Sequence, residues 1–233
     1  MTTDERPARL DIGVVGTGRV GAVLGAALAR AGHRVVAGYG VSVTSRHRAH
    51  SLLPDVPLVA VADVFERAGL VLLTVPDEAL PDLVNGLATT GAIRPGQLLA
   101  HTSGRYGTGV LDAATRAGAL PLALHPVMAF TGTDVDLNRL SGAVFGVTAP
   151  EQLWPVAEAL VVEMGSEPVR IAEEHRALYH AALEHGANHL VTLVADALDL
   201  LREAGVDQPD TLLAPLLGAA LDNALQSGDG ALT

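Results

Sequence analysis

Three kinds of residue in this sequence could do chemistry: glycines spaced to admit a phosphate, histidines that move protons near neutral pH, and arginines that hold anions. The glycines come first, in the run Gly16-Thr17-Gly18-Arg19-Val20-Gly21. This GxGxxG spacing works only where a strand precedes it and a helix follows. The first glycine then makes the tight turn, the second lets the backbone approach a pyrophosphate, and the third lets helix and strand pack closely. The apolar run Leu10 to Val15 supplies the strand, and the alanine-rich stretch Val20 to Ala31 supplies the helix, whose N-terminus then faces the phosphates.

A dinucleotide carrying a free ribose 2′-hydroxyl calls for Asp or Glu about 20 residues further on, at the end of the second strand. No acidic residue lies between Gly21 and Asp55. Ser42, Thr44, Ser45, Arg46 and Arg48 follow the strand Arg34 to Gly38 in what reads as a loop, and they offer hydroxyls and guanidinium groups to a 2′-phosphate. NADP is therefore expected rather than NAD. The bland alternative for Arg46 and Arg48 is a solvated loop.

In an open parallel sheet the ligand sits beyond the carboxyl ends of the strands. Thr74-Val75-Pro76-Asp77, His101-Thr102-Ser103-Gly104 and His125-Pro126 all fall at such ends. The candidates for the dinucleotide are thus Gly16, Thr17, Gly18, Arg19, Val20, Gly21, Ser45, Arg46, Val75, Pro76, Asp77 and His101. His101 and His125 could transfer a proton, or could simply cap strand ends with their nitrogens satisfied by backbone. Along the helical stretch Glu173 to Ala204, His180, Glu184, Asn188 and Thr192 recur at fourfold spacing on one arc, joined by His185 and His189, with Leu183, Ala187, Leu190 and Val194 opposite. An ordinary solvated arc would be dominated by long charged side chains. This one suits a site or a wet subunit contact. His125, His180, Asn188 and Ser103 are the catalytic candidates, with His125 or His180 as the acid.

These residues need a scaffold, and the rest of the sequence describes one. Short apolar runs at Leu10–Val15, Arg34–Gly38, Leu58–Val61, Leu70–Val75, Gln97–His101, Leu120–Leu124, Ala143–Val147 and Pro168–Ile171 alternate with helical stretches. The expected fold is α/β, a Rossmann-type doubly wound, mostly parallel sheet, followed by a smaller all-α domain. The expected boundary gives residues 1–171 to the dinucleotide domain and 172–233 to helices, with Gly205 as a helix stop and a last helix from Asp210 to Gln226. Two helices alone are a small domain, so they should pack on a partner, as a homodimer, or continue past the turn-like Gly228 to Thr233.

Composition removes other chemistries. The chain has 233 residues, a net charge of -11 and no Cys, and all 15 of its basic residues are Arg. Thiolate and lysine Schiff-base mechanisms are excluded. The acidic balance disfavours nucleic acid or an anionic membrane as partner. No apolar run reaches the roughly 18 residues that span a bilayer, and the polar start from Met1 to Arg9 reads as cytoplasmic.

The fingerprint Gly16 to Gly21, Val75-Pro76-Asp77, His101-Thr102-Ser103-Gly104, Leu124-His125-Pro126 and Tyr179-His180 with Asn188 together resemble the Rossmann-like family with a C-terminal domain of unknown function numbered 2520. That family belongs with the 6-phosphogluconate dehydrogenase-like and ketopantoate reductase-like NADP enzymes, and the resemblance covers nearly the whole chain. It implies an NADP-binding first domain and a helical, often dimeric second domain. Members usually continue beyond a segment like Gly228 to Thr233. The better-known relatives place a Lys four residues before the Asn of the long helix. Here that position is Glu184, so the lysine mechanism does not carry over.

Two functions follow as expectations. One is an NADPH-dependent oxidoreductase reducing a small carbonyl, such as a ketopantoate-like 2-oxo acid, or an imine, with Arg105 or Arg139 clamping a carboxylate. The other is a non-catalytic NADP(H)-binding sensor or assembly protein, consistent with the missing lysine.

Overall fold

The computed structural model describes residues 9–228. Seven strands form one sheet: β1 (Asp11–Val15), β2 (Arg34–Tyr39), β3 (Leu70–Leu73), β4 (Leu98–His101), β5 (Leu120–Pro126), β6 (Val144–Thr148) and β7 (Glu167–Arg170). Their order is β2-β1-β3-β4-β5-β6-β7, and every neighbouring pair is parallel except β5 with β6. The helices are α1 (Arg19–Arg30), α2 (Val43–Leu52), α3 (Val61–Arg67), α4 (Leu80–Thr89), α5 (Asp112–Arg116), α6 (Val135–Leu140), α7 (Trp154–Glu163), α8 (Arg176–Glu203) and α9 (Pro209–Ser227).

Period-two alternation splits the strand side chains between two cores. Ile12, Val14, Leu70, Leu72, Leu98 and Ala100 pack on one face with residues of α1 and α7. Val15, Val71, Leu73 and Leu99 pack on the other with residues of α3, α4 and α5. Burial on both faces is why these strands read as unbroken apolar runs.

Two expectations need correction. The strand expected at Leu58–Val61 shrinks to a single parallel bridge between Leu58 and Gly38. Pro57 precedes it and α3 already begins at Val61, so only one rung can form. The expected loop after β2 is instead α2, with the Ser42 hydroxyl accepting from the Ser45 amide at 3.0 Å as its N-cap.

By compactness the chain divides into Met1–His180 and Ala181–Thr233, later than the boundary expected at Ile171. The first turn of α8 belongs to the sheet unit because Arg176 is buried there, 2% exposed. In the second unit the apolar face expected along α8 is only half covered, with Leu183 and Val194 half-buried and Ala187 and Leu190 exposed, and Val191 and Leu193 beside it and Leu212, Leu216 and Leu225 on α9 are also exposed. Of the turn expected over 228–233, all but Gly228 lies outside the described residues. So does most of the polar start.

Candidate functional site

Strand order reverses between β1 and β3: the connection from β1 runs outward to β2, and the connection from β2 returns past β1 to β3. In this fold class that switch point opens a crevice at the strand carboxyl ends. The glycine turn sits there and is held from both sides. Gly16 and Thr17 amides both donate to the Tyr39 carbonyl at 2.9 Å, and the Thr74 hydroxyl donates to the Gly16 carbonyl at 2.6 Å.

The three glycines divide into structural and vacant positions. Gly16 has φ +104°, and a Cβ there would sit 2.6 Å from the Thr74 carbonyl oxygen. At Gly21 a Cβ would overlap the Gly16 carbonyl and the Thr74 hydroxyl. Gly18 is different, because a Cβ there would meet nothing within 4 Å and its φ of -75° suits any residue. The fold has no need of glycine at that position, so its bareness keeps a space clear at the start of α1. The first-turn amides of a helix lack intrahelical acceptors, so those of Arg19 and Val20 can serve an anion there.

Around this cradle the expected cofactor residues take distinct positions. Thr17 is fully buried and its hydroxyl donates to the Ser45 carbonyl at 3.2 Å, so its side chain ties the turn to α2. Ser45 donates its hydroxyl to the Ser42 carbonyl at 2.9 Å and is likewise part of the cap. Arg46 is exposed and donates to the Val41 carbonyl at 3.0 Å. Arg19 and Arg48 approach the loop at Gly132, where a Cβ would lie 2.9 Å from Arg19 Cγ and 2.6 Å from Arg48 Nε. Val20 and Val75 pack against the two cores, and the carbonyls of Pro76 and Asp77 accept from Ala79 and Leu80 in the turn that leads to α4.

At the next two strand ends the structure separates the histidines. His101 is fully buried, with Nε2 bonded to the Gly107 carbonyl at 2.8 Å and Nδ1 accepting from the Ser103 amide at 3.2 Å. Burial pushes its pKa down to about 4. It is a neutral histidine spent on backbone, with no nitrogen left for a cofactor. Ser103 accepts from the amides of Arg105 and Tyr106 at 3.2 and 3.3 Å, so its hydroxyl oxygen holds a turn rather than standing free. Arg139, one expected carboxylate clamp, lies 3.9 Å from the buried Asp136, while Arg105 stacks on Tyr106 at 5.3 Å.

His125 is the histidine that remains partly accessible. Its Nδ1 is 2.7 Å from the Tyr179 hydroxyl, with the rings edge-on at 88°. Two glycines make room for the pair: a Cβ at Gly104 would sit 2.9 Å from His125 Nε2, and one at Gly146 would strike the Tyr179 hydroxyl. Arg176 is buried close by. Nε donates to the Thr148 hydroxyl at 2.7 Å, and Nη2 to the carbonyls of Ala123 and Gly146 at 3.2 and 3.0 Å. Burial, then the Arg176 charge, then His180, drive the His125 pKa down to about 4. Burial raises that of Tyr179 against the opposing pull of Arg176.

Sequence reasoning missed Arg176 and Glu173 and noted Tyr179 only as part of a motif. Glu173 caps the 3-10 turn at Thr108–Leu111, accepting from the Thr108 and Gly109 amides at 2.7 and 3.0 Å. The run Glu173-Glu174-His175-Arg176 looks like a solvated helix start, and only the carbonyls of β5 and β6 give Arg176 its place. Arg176→Ala should cost about 3–5 kcal/mol, since it strips partners from a buried hydroxyl and two carbonyls. Urea unfolding read by circular dichroism measures this, and an unchanged midpoint would refute it. In the second unit Asn188 donates to the Glu184 carboxylate, and His185 stacks on His189 with centroids 4.5 Å apart.

Residues 1–126 match the Rossmann-like domain family, and residues 143–233 match the domain of unknown function DUF2520. The chain belongs to the Rossmann-like family, with DUF2520 as its C-terminal part. No curated protein matches this sequence. Among solved structures, a Bacteroides fragilis protein provisionally assigned as an NADP oxidoreductase is similar at 22% identity and TM-score 0.78, over 97% of this chain and 84% of that one. An imine reductase from Pseudomonas sp. is similar at 15% identity and TM-score 0.68, over 94% and 76%. A semialdehyde dehydrogenase NAD-binding protein from Cupriavidus necator, in complex with calcium and NAD, is similar at 19% identity and TM-score 0.67, over 97% and 92%. At these identities the shared property is the fold.

Proposed function

We propose that this chain is an NADPH-dependent oxidoreductase that reduces a small carbonyl or imine compound in the cytoplasm. The observation that carries the reading is the cleared space at Gly18, beside the first-turn amides of α1 at the switch point of the sheet. The pyrophosphate of a dinucleotide fits it, held by the Arg19 and Val20 amides. The bound dinucleotide would supply hydride. The chain's own part is to position the substrate beyond the strand ends and to deliver a proton. His125 lies at such an end, with Tyr179 on its Nδ1 and His180 acting on it electrostatically.

NADP rather than NAD is favoured because Tyr39 at the end of β2 and the following Gly40-Val41-Ser42 offer no carboxylate, while Arg46 and Arg48 follow on α2. Similar folds are named with either dinucleotide. The double variant Arg46→Ala, Arg48→Ala should weaken NADPH about 10–100-fold and leave NADH within a factor of two, as expected for losing charge-assisted bonds to one phosphate. Fluorescence titration with both dinucleotides decides it, and equal losses for both would overturn the NADP assignment.

The leucines left open on α8 and α9 support a homodimer formed through the helical region, which light scattering would test. One observation favours a binding protein without turnover: Asn188, which the resemblance pairs with a lysine, is engaged by Glu184. NADPH binding with no oxidation across 2-oxo acids and cyclic imines would establish that second reading.

A further inference from the structure

We propose that Tyr179 is the proton donor of this site, resupplied through His125, and that the buried Arg176 selects carbonyl over imine substrates. The inference rests on the oxidoreductase reading above and deepens it.

Three observations point to Tyr179 rather than either histidine. First, the fold reserves space for the pair, since Gly104 and Gly146 are bare where His125 and the Tyr179 hydroxyl lie. Second, His125 is neutral at physiological pH, so it cannot arrive as an imidazolium, and its Nδ1 is already committed to the phenol at 2.7 Å. Third, Tyr179 keeps its proton, because burial holds its pKa above the ordinary value, and the residue is partly exposed. The donor role takes His125 as the Nδ1–H tautomer, in which the phenol accepts from the ring and has its own proton free to give.

Substrate class follows from charge. Arg176 is 2% exposed, and its three recorded bonds go to neutral oxygens. Its Nη1 has no partner among the described residues. The carboxylate that acts on it, Glu173, is already bonded to the Thr108 and Gly109 amides. Arg176 and His180 act on His125, and Arg176, Glu173 and His125 act on His101. No carboxylate among the described residues bears directly on His125 or Tyr179. Arg176 is thus the charge that acts on both His125 and Tyr179, and a positive charge so placed favours the oxyanion that develops when hydride adds to C=O. The same charge opposes the protonated iminium that must form before hydride adds to C=N.

The bound dinucleotide would supply the hydride that forms the new C–H bond at the carbonyl carbon, with the C=O π pair moving to oxygen. That oxygen takes the Tyr179 hydroxyl proton. The phenolate regains a proton from His125 Nδ1 while Nε2 takes one from water, which leaves hydroxide to the solvent, and proton exchange with solvent then returns the imidazole to its Nδ1–H tautomer as the alcohol leaves.

The test uses the full chain with NADPH, a panel of small aldehydes, ketones and 2-oxo acids, and a panel of cyclic imines. Wild type should favour carbonyls over imines by about 100-fold or more in kcat/KM. Tyr179→Phe should lower kcat by about 10²–10⁴-fold, the usual range for general acid catalysis, with KM and the NADPH Kd within about threefold. Independently of turnover, the His125 imidazole followed by NMR should titrate near pH 4 in wild type and in Arg176→Lys, and measurably higher, though still below the free value, in Arg176→Gln, where burial remains and the charge does not. Full kcat in Tyr179→Phe would overturn the donor, and equal reduction of imines would overturn the substrate class. A wild type that binds NADPH but reduces neither panel would overturn both and leave dinucleotide binding standing. Absence of NADPH binding would instead overturn the oxidoreductase reading itself. If Arg176→Gln fails to fold, the Tyr179→Phe and substrate-panel results decide.

Discussion

Gly18→Val should weaken NADPH binding by about 100-fold while leaving the thermal midpoint within about 2 °C of wild type. Gly21→Val should lower that midpoint by roughly 6–12 °C. The two glycines share one motif but answer to different demands. A Cβ at 18 meets no protein atom within 4 Å, and its backbone angles suit any residue, so a ligand should feel the change far more than the fold does. A side chain at 21 runs into the Gly16 carbonyl and the Thr74 hydroxyl, which the turn itself holds in place. Overpacking against backbone costs about 3 kcal/mol or more, and each kcal/mol moves the midpoint of a chain this size by about 2–4 °C. Differential scanning fluorimetry beside fluorescence titration separates the two effects. Wild-type affinity in Gly18→Val would mean the cleared space holds no pyrophosphate.

Mild acid should destabilise the protein well before its carboxylates titrate. His101 is buried neutral, with a folded pKa of about 4 against 6.5 for the free side chain. Between those values the unfolded chain binds a proton that the folded one refuses, so stability falls as pH drops from about 6.5 and levels off below about 4. A gap of this size on one fully buried group corresponds to about 3 kcal/mol. His125 acts in the same direction over the same window, with a smaller share because it is partly exposed. Asp11 and Glu151 are held below their ordinary values by hydrogen bonds to Arg34 and Arg170, so their contributions are lost only at lower pH. Urea midpoints measured from pH 7 to pH 4 should show the decline. His101→Gln, which can still donate to the Gly107 carbonyl, should flatten it by about half. A midpoint that stays constant across the window would refute the assignment of these histidines as buried and neutral.

The elements that were legible are those whose cause is local. The glycine turn, the strand before it and the helix after it were readable because each requirement acts within a few residues. The strands β1 and β3 to β6 were readable because two-sided burial leaves apolar runs, whereas β7, Glu167–Arg170, is largely exposed and offers only a weak signal. The segment at Leu58 misled because an apolar run can promise a strand without showing how many rungs its neighbour will offer. The stretch from Ser42 to Arg48 misled for the opposite reason. Its polar residues mask a helix of which only Ala49 is buried, so hydrophobic period says almost nothing there. Among the histidines, composition could not tell His101 from His125, because the difference lies in the carbonyl of Gly107 and the phenol of Tyr179.

From its sequence alone this chain determines a dinucleotide-type turn without an acidic partner, chemistry without lysine or thiol, and a sheet unit ahead of a helical one. These follow from residue types and short spacings. Only the tertiary structure decided that Arg176 is buried among the carbonyls of β5 and β6, that Tyr179 meets His125 across 54 positions of chain, and that Gly18 faces open space. Each of those depends on which strands lie side by side. Pairing between distant segments is set by the packing of the whole sheet, which leaves no mark on the residues nearby.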